Sequence, residues 1–249
     1  MDYWPRSPPS GGVAEETDSG RLVGFGRSIE RDGLLGLTEF FVRPDQQSRG
    51  VGKALLERAF PAGRGTVRSI IATSDVRAQA RYYAAGTVAR FPLFTLGGLP
   101  ADPGPMRDLT AESIDGERAI ESQRAVEATV LGHRRSQDEV RWLLDRRQGH
   151  LYRRADRVIG FSFFGRDGAG PMAALDPSEL PAILLHVEGL AHPLGLERLE
   201  LQVPAPNAIG IRHLMGRGFR FDSWINILMS DRQFGQFDRF IPFSPPLFL

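Results

Sequence analysis

The stretch VRPDQQSRGVGKALLERAF, Val42 to Phe60, constrains this chain more than any other segment. It leaves an apolar strand, crosses a polar loop punctuated by Gly50 and Gly52, and ends in a helix. Val51, Leu55 and Ala59, with Leu56 and Phe60, recur at helical spacing, so Val51–Phe60 is predicted to be helical. Glycines let a backbone turn tightly and approach a ligand closely. The first N–H groups of a helix have no intrahelical acceptor, and with the helix dipole they make an anion seat. Arg49 and Lys53 add positive charge at its rim. A diphosphate is the natural ligand for such a turn. The loop lacks the longer glycine spacing and the Gly-Lys-Ser/Thr of a triphosphate loop. It also lacks the three glycines and downstream acid of a dinucleotide fold.

The pattern around this loop alternates strands and helices. Val13–Glu16 reads as a short strand, followed by a turn at Thr17-Asp18-Ser19-Gly20; Leu22–Ile29 and Leu34–Val42 read as two strands joined at Arg31-Asp32-Gly33. Val67–Thr73 is β-rich, Val76–Ala85 is a helix closed by Gly86, and Leu93–Leu96 is a further strand before a linker at Gly97–Pro105. The second half opens with helices at Glu112–Val130 and Gln137–Arg147. Strands follow at His150–Arg153, Val158–Phe164 and Met172–Leu175. A helix is expected over Pro177–Leu190, a strand over Leu199–Val203, a helix over Ala208–Gly216 and a strand over Trp224–Met229.

The two halves share a rhythm. Asp75-x-x-Ala78-x-x-x-Tyr82-x-x-x-Gly86 has the spacing of Asn207-x-x-Gly210-x-x-x-Leu214-x-x-x-Gly218, and RLVGFGRSI resembles RVIGFSFFG. Order and spacing together indicate a diverged tandem duplication with its boundary near residues 98–105. That divides the 249 residues into a domain over 1–98 and another over 99–249.

Composition narrows the function. A 41% apolar and 24% charged chain is that of a globular protein, and no apolar run is long enough for a membrane span. The N-terminal MDYWPRSPPSGG has neither the basic start nor the apolar centre of a secretory signal; with no cysteine in the chain, a cytoplasmic setting is expected. Net charge of +1 and the lack of an aromatic–basic motif argue against nucleic acid as a partner. The five histidines show no ligand spacing with carboxylates, so no metal is expected.

Gln47-Ser-Arg-Gly50-Val-Gly52-Lys-Ala-Leu-Leu, set after FFVRP and before Asp75…Ala78…Tyr82…Gly86, resembles the Gln/Arg-x-x-Gly-x-Gly/Ala signature of the GNAT superfamily of N-acetyltransferases. The resemblance implies an α/β fold with a mixed sheet of α+β character, here as two tandem acyltransferase-like domains. It implies acetyl-CoA as cosubstrate, its pyrophosphate on Gln47, Ser48, Arg49, Gly50, Val51, Gly52 and Lys53, and its pantetheine arm along the strand edge at Phe41 and Val42. It further implies Glu39 as general base, directly or through water, and Tyr82 as the acid that protonates the departing sulfur. A phenol suits that role because its pKa of about 10 lies near that of a thiol. The alternatives from the residues alone are a strand carboxylate paired with arginine and a packing tyrosine. Asp75, where the family has Asn, is counted among the cofactor-binding residues by the resemblance, and from the residues alone is expected first to cap its helix.

With only about twelve irregular residues before Val13, the first copy is expected to lack the family's opening strand and two helices. Another part must therefore cover that face: the second domain, the Phe/Pro-rich tail from Phe234, or a second subunit in a homodimer. In the second copy Met106–Thr110 stands as the opening strand, but ALDPSELPAILLHV replaces the glycine loop and Leu214 replaces Tyr82. The expectation is an N-acetyltransferase acting on a primary amine of a small-molecule or peptide acceptor, with a degenerate second domain. The alternative is a non-catalytic CoA-binding or scaffold protein of the same fold.

Overall fold

The computed structural model describes residues 10–15, 20–104 and 108–243. Its contacts divide the chain into two compact units. One holds the residues through Phe91 together with Asn226–Gln233; the other holds Pro92–Ile225 and the segment from Phe234. The strands and helices are β1 (Ser10–Glu15), β2 (Leu22–Arg31), β3 (Leu34–Val42), α1 (Val51–Ala59), β4 (Val67–Ala72), α2 (Val76–Ala84), β5 (Val88–Gly98), β6 (Thr110–Ser113), α3 (Gly116–Leu131), α4 (Gln137–Leu144), β7 (Gln148–Arg154), β8 (Arg157–Gly165), β9 (Gly168–Ala174), α5 (Leu180–Ala191), β10 (Leu199–Pro204), α6 (Ala208–Gly216), β11 (Arg220–Ser230) and β12 (Phe240–Ile241).

In unit 1, β1, β2 and β3 form an antiparallel meander and β3 runs parallel to β4. On its other edge β4 pairs antiparallel with Ile227–Ser230 of β11, a segment far downstream in sequence. The sheet is therefore mixed. Leu35, Leu37, Ile70 and Ala72 turn one face toward Leu56, Ala59 and Phe60 of α1 and Tyr82 of α2, closing a core that also takes in Met229. The Ser28 hydroxyl donates to the Ala59 carbonyl at 2.5 Å and pins α1 to the sheet. At the far end, Asp231 accepts from the Arg68 amide at 2.9 Å, and the Arg68 guanidinium donates to the Ala85 carbonyl at 2.9 Å.

In unit 2, β6 to β9 follow one another antiparallel and β12 adds to the edge of β9. A second ladder pairs β10 with Leu93–Gly98 of β5. Leu180, Ile183, Leu184 and Val187 of α5 bury against Leu199, Leu201, Val203, Leu214 and Phe219. The α3–α4 connection is locked by a buried ion pair between Glu127 and Arg135, both at most 1% exposed, and the Glu127 carboxylate also accepts from the Arg135 amide at 2.9 Å. Ser136 and Glu139 form a capping box that starts α4.

Several boundaries differ from the sequence expectations. β5 runs eleven residues rather than Leu93–Leu96, because Pro92, which donates no hydrogen bond, still accepts one at 2.9 Å from the Ala205 amide. The expected strand Met106–Thr110 lies partly outside the described residues, and β6 begins only at Thr110. α3 starts at Gly116 rather than Glu112, since Glu112 and Ser113 pair with β7. The turn expected at Thr17–Gly20 and the residues Pro245, Pro246 and Phe248 lie largely or wholly outside the described residues. The described part of the aromatic tail packs into unit 2 rather than onto a bare sheet face. Phe234, Phe237 and Phe240 form a chain of edge-to-face rings with centroids 5.3 and 6.1 Å apart, and Phe234 meets His133.

Candidate functional site

The site in unit 1 begins as a defect in strand pairing. β3 and β4 pair from Leu34↔Val67 to Leu37↔Ile70 and then part. At the point of parting β3 bulges: Arg27 faces Glu39 and Ser28 faces Leu37, which leaves Thr38 as the extra residue. Bulges bend a strand and end its pairing. The Thr38 hydroxyl holds the bulge by donating to the Arg27 carbonyl at 3.1 Å. The diverging strands open a cleft of about 540 Å³, lined by β3 from Leu37 to Val42, by Gln47 and Ser48, by Ile70 and Ile71, and by Asp75, Arg77, Arg81 and Tyr82. Sequence periodicity carries no sign of this bulge.

The loop at the mouth of α1 is held in left-handed backbone. Ser48 has φ +66° and Gly50 has φ +87°. A non-glycine residue at positive φ is uncommon and concentrates at ligand clamps. Gly50 is the N-cap of α1, with no side-chain cap. Its carbonyl accepts from the amides of Lys53 at 3.0 Å and Ala54 at 3.1 Å. The Lys53 amide is thus already used, and the seat consists of the amides before it. Gly52 serves a different purpose: a Cβ there would overlap Nη1 of Arg81 as Arg81 now lies. Arg81 therefore lies across the first turn of α1. Neither Arg81 nor Arg49 has an ion-pair partner among the described residues. The Lys53 ammonium, 80% exposed, stands 3.9 Å from Glu57 on the outer side of the helix. A cation without a counterion beside the positive end of a helix dipole stabilises only an anion placed between them.

Asp75 caps α2: its Oδ1 accepts from the amides of Arg77 at 2.8 Å and Ala78 at 3.4 Å. The Arg77 side-chain hydrogen bond, followed by these backbone bonds, holds the Asp75 carboxyl below its usual pKa. Arg77 also donates to the Gln47 amide oxygen at 3.2 Å, while Gln47 Nε2 donates to the Val42 carbonyl at 3.3 Å. The chain Asp75–Arg77–Gln47–Val42 ties the start of α2 to the end of β3 across the cleft mouth.

Glu39 and Tyr82 both line the cleft. Glu39 pairs across the strands with Arg27 at 3.5 Å, and both side chains are about one-third exposed. Tyr82 is 7% exposed and meets Phe40 edge-on at 6.2 Å. Burial raises its phenol to about 12. It therefore stays protonated across the working range of a thioester reaction and sits further above a thiol than an unperturbed phenol does. Phe41, on the same side of the strand as Glu39, is 60% exposed and stacks at 5.2 Å on Phe25. Arg77 and Arg81, four residues apart on α2, were missed from sequence. An i, i+4 pair of arginines facing the glycine loop was the available signal.

Further along the chain, the order β9–α5–β10–α6–β11 matches the order β3–α1–β4–α2–β5. The entry to α5 differs from that to α1. Asp176 caps a 3-10 turn at Pro177–Glu179 that runs into α5 without a left-handed residue, and Pro181 occupies the first turn of the helix. The Glu179 carboxylate at the end of this turn is held by Arg154 at 2.8 and 3.0 Å. Asn207 caps α6, and Leu214, fully buried, stands at the place of Tyr82. Among the described residues no three His, Cys, Asp or Glu side chains gather as a metal site, and no helix is long and apolar enough to cross a membrane.

Residues 10–86 match the family model described as acetyltransferase (GNAT) domain. No curated protein matches the chain in sequence. Among solved structures, a presumed acetyltransferase from Pyrococcus horikoshii is 16% identical with a TM-score of 0.69, over 89% of this chain and 74% of that one. A GCN5-related N-acetyltransferase from Sphaerobacter thermophilus is 14% identical with a TM-score of 0.60, over 89% and 80%. A tandem GNAT protein from the clavulanic acid biosynthesis pathway is 16% identical with a TM-score of 0.55, over 90% and 84%. The likeness to these structures is one of fold. Residues 10–86 are thus similar to an acetyltransferase (GNAT) domain, and the chain shares the fold of these structures.

Proposed function

We propose that this chain is an acetyl-CoA-dependent N-acetyltransferase acting on a primary amine, built from two acetyltransferase-like domains of which the first holds the cofactor. The observation that carries the reading is the coincidence, in one cleft, of an open β3 edge with a glycine seat overlain by an unpartnered arginine. An extended acyl carrier ending in a diphosphate matches both at once. The Arg49, Gly50, Val51 and Gly52 amides and Arg81 would receive the diphosphate, and the β3 edge at Phe41 and Val42 would align the arm. Acetyl-CoA supplies the acetyl group as a thioester.

In this reading the chain's own groups manage protons and position. Glu39, on the open side of the bulge, accepts the proton from the incoming ammonium through water once its pairing with Arg27 has loosened. Tyr82 donates a hydrogen bond toward the sulfur. With a phenol at about 12, that donation supports the departing thiolate without full ionisation of the tyrosine. The Glu39–Arg27 pair favours a second reading, a CoA-binding protein without turnover, since it holds the carboxylate in a structural contact. Calorimetry with acetyl-CoA followed by thiol release over a panel of amines separates them. Binding with turnover on at least one amine supports the enzyme, and binding without turnover supports the second reading. Absence of binding refutes both.

A further inference from the structure

We propose that Arg239–Ile241 are a built-in occupant of the strand slot in unit 2, so that each chain offers one acyl-CoA seat and not two. The inference rests on reading unit 2 as a second copy of the unit 1 fold. The matching succession of elements makes β9 the counterpart of β3. In unit 1 the edge of β3 turned away from β2 is free beyond Leu37. In unit 2 one edge of β9 is paired with β8, and the other is taken by β12, with Ala173 facing Phe240 and Met172 facing Ile241. The Ala174 amide donates to the Arg239 carbonyl at 3.0 Å. Both edges of β9 are used.

The occupant is anchored at both ends. Arg239 Nη1 donates to the Leu175 carbonyl at 2.8 Å, at the entry to α5. Past β12, the Arg147 guanidinium lies 3.5 Å over the Phe243 ring and donates to the Gly168 carbonyl at 3.0 Å and the Gly170 carbonyl at 3.3 Å. Phe240 and Ile241 are fully buried, and Ile241 belongs to the main core of the unit. A side chain committed to a core does not yield its place to a mobile ligand arm at ordinary concentration. The entry to α5 is a poor anion seat as well: Pro181 has no N–H to offer, and the nearby Arg154 guanidinium is already paired with Glu179. Slot and seat are thus lost together, by unrelated changes far apart in sequence.

The test is made on the full chain. Titration calorimetry with acetyl-CoA is expected to give one equivalent per chain, and none for Gly52→Glu, which puts a carboxylate into the unit 1 seat. Two equivalents, or one remaining in Gly52→Glu, overturns the proposal. Hydrogen exchange decides the slot independently of whether unit 1 binds. The Ala174 amide is expected to exchange at least roughly 100-fold slower than an unprotected amide, and to be unchanged by saturating acetyl-CoA. Fast exchange at Ala174, or an acceleration when acetyl-CoA is added, overturns the occupant. Zero equivalents in the wild type with Ala174 protected refutes the reading of unit 1 alone.

Discussion

Gly50 and Gly52 stand two residues apart in one loop, yet they are glycine for different physical reasons, and alanine substitution separates them. At Gly52 an added Cβ would displace the Arg81 guanidinium, while Val42 Cγ2 at 3.4 Å is an ordinary contact. Arg81 is flexible, so its relocation costs about 0.5–1.5 kcal/mol. Replacing a glycine in the first turn of α1 returns about 0.5–1 kcal/mol. The two nearly cancel, and Gly52→Ala is expected to melt within about 3 °C of the wild type. Binding should not be spared. A charged hydrogen bond from Arg81 is worth about 1.5–3 kcal/mol, so acetyl-CoA affinity should fall roughly 10- to 150-fold. At Gly50 the added Cβ meets nothing within 4 Å, but φ is +87°. The left-handed backbone costs alanine about 1–2 kcal/mol, and Gly50→Ala should melt about 2–8 °C lower. The assays are a thermal melt and calorimetry with acetyl-CoA on both variants. If Gly52→Ala binds within about twofold of the wild type while melting normally, Arg81 is not part of the seat and the reasoning fails. If Gly50→Ala melts like the wild type, the left-handed cap is not under strain.

The remaining predictions concern catalysis, the buried ion pair and pH. Tyr82→Phe should lower turnover by roughly 100-fold, the low end of a general acid's contribution, and leave acetyl-CoA affinity nearly unchanged; a large loss of affinity would assign Tyr82 to binding. Because folding raises the Tyr82 phenol to about 12 from its ordinary value of 10.0, its contribution is complete below pH 10 and fades as pH rises through 12. Urea midpoints between pH 9 and 12 should therefore fall more steeply in the wild type than in Tyr82→Phe. Glu127→Gln leaves the buried Arg135 charge uncompensated and should destabilise unit 2 by about 3–5 kcal/mol. Glu127→Leu combined with Arg135→Met should recover most of that loss; no recovery would mean the pair acts through its other hydrogen bonds. His186 shares the Tyr152 hydroxyl with Ser162 and stands 4.8 Å from His150. Burial first, then the His150 charge, depresses its imidazole from 6.5 to about 4. Its contribution is present above pH 6.5 and is lost as pH falls toward 4, on the order of 1–3 kcal/mol given its partial exposure. Chemical denaturation at pH 7 and 4.5 should show a smaller acid loss in His186→Gln than in the wild type.

Most of the local structure was legible from the chain because local structure obeys local rules. Apolar runs bounded by a turn marked β2 and β3, helical spacing marked α1, and Asp75 was placed as a helix cap. The glycines at 50 and 52 announced an anion seat because helix ends have the same unsatisfied amides wherever they occur. Boundaries that depended on partners were read less well. β5 continues through Pro92 because a neighbouring chain segment donates to its carbonyl, and Glu112 and Ser113 leave the helical pattern because β7 pairs with them.

What the sequence by itself determined is the kind of site: a strand, a positively rimmed glycine turn and a helix, with Glu39 and Tyr82 near at hand. The tertiary structure alone decided how that site is finished. It brought Arg81 over Gly52, opened β3 at the Thr38 bulge, and set Ile227–Ser230 against β4. It also turned the aromatic tail inward, where β12 covers the edge of β9. The reason is the range of the forces. Helix caps and periodicity are set by residues within one or two turns, whereas strand pairing and guanidinium placement join residues far apart in sequence, whose encounter no local pattern records.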